Sequence, residues 1–287
     1  MPHRPWPFLV LALTAVLLAC SSTPPTSESD QSFTDARNNF KSSDFKAALR
    51  NLDKVIKSTS DESQRQQAIV LRTALVTALA DANKQMAEAY YIGAKQPAAQ
   101  SHTGAYYKMR SDYYNTAHSF LMDAMQSVMN QRPKLGGSPM LIEVTFPGFT
   151  GTNPGMTRIK SGQPVSDADQ MSAELQADRN ALAVVLSEIA GAGQDPNKGQ
   201  QVFSSGKVEL DPRVYLIELS NSFLQSGAMF EWRGLNEPDH LRTVNEVVRG
   251  NLDVAQKLLS AKPDKEMEAR VKKMLSDCDK ADKKKTS

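Results

Sequence analysis

Cysteine is nearly absent from this chain: 287 residues hold only Cys20 and Cys278. No disulfide framework can hold such a fold, so it must stand on its apolar core. Cys278 sits between Asp277 and Asp279, which disfavour a reactive thiolate. Histidine is equally scarce. Beyond residue 20 there are only His102, His118 and His240, and none has a partner at metal-ligand spacing, so no metal site is expected. A surplus of charge is missing too, with 34 basic against 32 acidic residues. That excludes a polyanion grip, and nucleic acid is not an expected partner. Runs of β-branched residues are few, whereas Ala, Gln, Leu, Lys and Asp are plentiful, which favours helices.

Catalytic signatures are also lacking. Lys207 follows Gly206 but precedes Val208, so the magnesium-binding hydroxyl of a phosphate loop is missing. Asp195, Asn197 and Gly199 begin a calcium-loop spacing, but its twelfth position is Gly206, which cannot close the site. No nucleophile elbow or HExxH pattern occurs. The expectation is a non-catalytic protein without a cofactor.

What is present begins at the amino end. Arg4 precedes an apolar run, Phe8 to Ala19, of about 18 Å as a helix, too short for a bilayer core of about 30 Å. It reads as the apolar part of a signal peptide, residues 1–19. Leu17-Leu18-Ala19-Cys20 resembles the lipobox of bacterial lipoproteins. The resemblance implies cleavage before Cys20 and its acylation, with palmitate-type chains seating it in a membrane. Ser21 stands where Asp would favour retention at the inner membrane, so the resemblance implies a periplasm-facing lipoprotein, more in keeping with the outer membrane. Residues 20–31, with Pro24 and Pro25 and no large apolar side chain, read as the lipidated cysteine and a flexible tether.

Helical periodicity fills 32–131. Phe33, Ala36 and Phe40 mark one helix; Phe45, Ala48, Leu49, Leu52, Val55 and Ile56 mark a second across a turn at 42–44. Ala36, Phe40, Phe45, Ala48, Leu52 and Val55 resemble a tetratricopeptide repeat, although Ser43 replaces the usual turn glycine and Ser60 the closing proline. A second hairpin is expected over 63–95, with Ala87, Tyr91 and Ala94 at matching spacings. A later echo at 244–259 places its turn at Gly250. A long helix is expected from about Ala98 to Gln131. The expected fold is all-α: tetratricopeptide-like hairpins in an α-solenoid or a compact helical array.

The helical pattern stops over 132–166. Eleven glycines and prolines fall between 132 and 165, around a short β-prone run, Met140 to Phe146. The segment reads as an insertion that either folds back on the helices or covers a partner site, with Phe146 and Phe149 as candidate contacts. A helical region follows over 167–279, then a basic tail, 280–287. Six of the seven tyrosines lie between Tyr90 and Tyr114. They either pack a core or line a groove, for which Tyr91, Tyr107 and Tyr114 are the candidates. The stretch from Tyr107 to Gln126, with the later Phe146-Pro147-Gly148-Phe149, is also weakly similar to the lipid-anchored T component of TRAP-type solute transporters. Two functions follow as expectations, with an enzyme of unrecognised site as a third. One is an anchored scaffold that binds a protein or peptide. The other is a transport accessory that binds a small apolar ligand.

Overall fold

The computed structural model describes residues 27–228 and 238–283. The expected signal peptide, Cys20, the tether as far as residue 26 and the end of the basic tail lie outside them. Helix α1, Glu28–Ser42, begins at the Ser27 cap, four residues earlier than the tether boundary expected from sequence. Asp30 and Glu28 in its first turn suit the positive end of the helix dipole. Ser43 ends it in the left-handed region (φ 62°), and Asp44 N–H closes back on the Asn39 carbonyl at 2.9 Å. A serine in that conformation is strained, but its hydroxyl accepts a 2.8 Å hydrogen bond from Arg179 Nε. Asp44 caps α2, Phe45–Ser58, by accepting from Ala47 N–H. The two helices bury Phe33, Ala36 and Phe40 against Phe45, Ala48, Leu52 and Val55. The sequence stripe thus faces inward as expected.

Helix α3, Glu62–Ala94, is the axis of the molecule. It is continuous where a hairpin was expected. Its polar middle, Asp81 to Gln85, contains no glycine or proline, and Asn83 Nδ2 donates to the Leu79 carbonyl inside the helix. Nothing therefore breaks it. Its buried residues point in all directions, and the buried Thr73 and Thr77 hydroxyls return to carbonyls one turn back. Around it lie α2 and α4 (Thr103–Gln131), then strand β1 (Met140–Glu143), α5 (Pro154–Lys160), α6 (Asp167–Ile189) and, after α7 (Pro196–Val202) and strand β2 (Lys207–Leu210), α8 (Pro212–Gly227). Helices α9, Pro238–Ala261, and α10, Lys265–Lys283, finish against α8. No helix of the described residues is long and apolar enough to cross a membrane.

The arrangement is a helical array around α3 rather than a row of repeated hairpins. At the later echo, 244–259, α9 also runs without a turn. Gly250 serves close approach instead: a Cβ there would meet the Arg132 guanidinium at 2.2 Å. Gly93 does the same for α5, since its Cβ would lie 2.1 Å from the Ile159 carbonyl oxygen.

The Gly/Pro-rich segment is built into this body. Met140, Ile142 and Val144 are buried, and β1 pairs antiparallel with β2 in the register Met140↔Leu210 to Glu143↔Lys207. Lys207 and Arg37 both bind the Glu143 carboxylate and hold it below its usual range, tying α1 to the ladder. Polar ties fix the other helices. Arg72 on α3 reaches Asp53 on α2 at 2.6 Å and grips Asp123 on α4 with two bonds of 2.9 Å. Arg270 grips the buried Glu218 at 2.6 and 2.8 Å, joining α10 to α8.

Candidate functional site

A cleft of about 460 Å³ opens where the start of α2 meets α3, α4 and α6. Each element contributes through its own periodicity. The tight α1–α2 turn brings Ser43, Asp44, Phe45 and Lys46 to the mouth. Helix α3 supplies the floor with Leu79, Ala82, Asn83 and Met86. Helix α4 supplies Met109, Asp112, Tyr113, Thr116 and Phe120, residues three or four apart and so on one face. Helix α6 closes the opposite wall with Gln170, Met171, Glu174, Leu175 and Asp178. Apolar wall outweighs polar, and on α6 it stays open to solvent: Met171 is 69% exposed and Leu175 37%.

A hydrogen-bonded network joins α3, α4 and α6. Tyr113 Oη donates to Glu174, and Gln170 Nε2 donates to both of them at 3.0 Å. Tyr90 Oη extends the network to Gln170 at 3.3 Å. Burial pushes the Tyr90 phenol up to about 12, and burial with the Glu174 acceptor raises that of Tyr113 further. Both phenols are hydrogen-bond donors at physiological pH. One turn along α6 from Glu174, the Asp178 carboxyl is pushed up to about 7 by burial and then by the neighbouring Glu174 charge. Lys46, across the mouth, offsets this only in part.

The aromatic residues expected to line a groove are distributed differently. Tyr90, Tyr106 and Tyr113 pack together between α3, α4 and α6; Tyr90 and Tyr113 stack at 5.6 Å and Tyr90 and Tyr106 meet edge to face at 5.1 Å. Tyr91 is half-buried beneath Lys95, 3.6 Å from the ring centre, and beside Arg110, which also contacts the buried Tyr114. Tyr107 is 43% exposed. Phe146 rests on Phe203 at 5.5 Å, in the segment joining the two strands, and Phe149 is half-buried nearby in sequence. Tyr91 and Tyr114 thus share one cation, while Tyr107, Phe146 and Phe149 stand apart, and none of the five lines the cleft.

Tyr113, Glu174, Asp178, Met171 and Phe45 emerge only from the fold. One sequence signal pointed there: Glu174 and Asp178 are like charges at i, i+4 on a helix, a repulsive spacing that local stability does not favour. Chemically the arrangement suits binding. It offers apolar contact, aligned donors and carboxylates, and among the described residues no group of three His, Cys, Asp or Glu converges as a metal site. Compared with protein-family models, curated proteins and solved structures, the chain finds no match.

Proposed function

We propose that this chain is a non-catalytic binding lipoprotein, held at the bacterial envelope through acylated Cys20 and facing the periplasm, and that its cleft between α2, α3, α4 and α6 receives a peptide segment of a partner protein. The observation that carries the reading is the solvent-exposed apolar wall that α6 presents to the cleft. Met171 and Leu175 line the cleft on one face of α6 yet stay exposed to solvent, where a bound segment would cover them. Exposed apolar patches of this kind mark interaction sites. Methionine side chains at Met86, Met109 and Met171 can repack around different shapes. The α1–α2 hairpin, with small Ala36 and Ala48 at the helix contact, supports a tetratricopeptide-like origin for this end of the chain.

A second reading rests on size. A cleft of about 460 Å³ also lies within the range of small-molecule sites, as a solute-binding transport accessory would need. Photo-crosslinking separates the two. A photoreactive side chain at position 175, in cells, should capture one defined protein at the cleft, and Met171→Glu should abolish that capture while membrane attachment persists. No protein adduct, with a small molecule retained through gentle extraction, favours the second reading. Cys20→Ser tests the anchor separately: its product should leave the membrane fraction, and unchanged fractionation refutes lipidation.

A further inference from the structure

The chemistry of the occupant is written in the charges of the cleft. Four carboxylates line it, from Asp44, Asp112, Glu174 and Asp178, against one ammonium, Lys46. Three of the four are already engaged. Asp44 caps α2 through Ala47 N–H at 3.0 Å, Asp112 pairs with Lys108 at 3.0 Å, and Glu174 accepts from Tyr113 and Gln170. Asp178 is different. It faces the cleft, no hydrogen bond within the described residues reaches its carboxylate, and Lys46 acts on it only through its field. A carboxylate so placed has lost part of its water without gaining a donor, a cost that an incoming cation would offset.

Resting on the peptide-binding reading, we infer that the docking segment carries a lysine or arginine flanked by apolar residues, its cation seated against Asp178 and Glu174 and its neighbours against Phe120, Met171 and Leu175. Glu174 and Asp178 interleave with Met171 and Leu175 along α6, so one short segment can satisfy both. A free organic amine would meet the carboxylates but leave Met171 and Leu175 uncovered, which is why a peptide is the occupant we name. The opposed charges would also speed encounter and reject acidic segments.

The test uses the full lipidated chain in zwitterionic phosphatidylcholine nanodiscs, with empty discs as the blank, and isothermal titration. The probes are three pools of five-residue blocked peptides with a central Lys, Gln or Glu, the flanking positions mixed from Leu, Phe, Met and Ala. The Lys pool should bind about tenfold tighter than the Gln pool, the worth of one charge-assisted hydrogen bond, and the Glu pool should bind weakest. Asp178→Asn should bring the affinities for the Lys and Gln pools close together. This variant removes a half-buried charge, so it should not fail to fold. Lys46→Gln, which removes the competing ammonium, should widen the preference for Lys. Equal binding of the Lys and Gln pools to the native protein overturns the inference and leaves the binding cleft standing. A Lys preference that survives Asp178→Asn overturns it too, since the cation then sits elsewhere. Binding of none of the pools overturns both the inference and the reading beneath it.

Discussion

Replacing Asp178 with asparagine should stabilise the protein, and more so as pH rises. In the unfolded chain this carboxyl titrates at its ordinary value of 3.8; in the fold it is pushed up to about 7 by burial and by Glu174. Between those values the native state keeps a proton that the unfolded state has released. Ionising Asp178 therefore costs stability, nothing well below pH 4 and the full amount above pH 7. A shift of about three units is worth about 4 kcal/mol. Water at the open side of the cleft screens part of it, leaving about 2 kcal/mol. Urea unfolding followed by far-UV circular dichroism, on wild type and Asp178→Asn, would be run at pH 4 and pH 8. Taking the difference between the two proteins at each pH cancels what they share, so its change reports Asp178 together with its coupling to Glu174. The variant should gain about 2 kcal/mol at pH 8 relative to its difference at pH 4. An equal difference at both pH values, or a loss at pH 8, refutes the account of the site.

Four further substitutions test the packing by the same measurement. Ala48→Leu should cost about 1–3 kcal/mol by overpacking the fully buried contact between α1 and α2, whereas exposed Lys46→Ala should be nearly neutral; equal effects would refute the hairpin register. Arg72→Ala should cost about 2–3 kcal/mol, because it leaves Asp53 and Asp123 without their shared partner; a neutral result would mean that the three helices hold without this tie. Gly93→Ala would ordinarily gain up to about 1 kcal/mol in a helix, yet here the added Cβ meets the Ile159 carbonyl and the Tyr106 ring, so destabilisation is expected and a gain would contradict the close approach of α5.

Features set by neighbours in sequence were readable before the fold was known. The Ser43–Asp44 turn and the stripe from Phe45 to Val55 follow from local caps and periodicity, and the structure places each where the pattern does. The continuity of α3 was not readable, because a polar stretch inside an apolar helix looks like a turn until its surroundings are known. The Gly at position 250 misled for the opposite reason: only the Arg132 side chain, distant in sequence, explains it. The cleft was hidden because four elements compose it. Tyrosine content drew attention to the right helices, α3 and α4, but could not tell Tyr113, which faces α6, from Tyr114, which faces Arg110.

The pairing of β1 with β2 bears on how the chain assembles. Its two strands enclose α5, α6 and α7 within one loop. Bringing together ends about sixty residues apart costs about 4 kcal/mol of chain entropy, more than four residue pairs of an isolated ladder return. Packing of α6 on α3 brings the ends of the loop within reach and offsets that cost. The small sheet is therefore a late clasp in folding. The slow, non-local step in this otherwise helical protein belongs to the stretch whose glycines and prolines first set it apart.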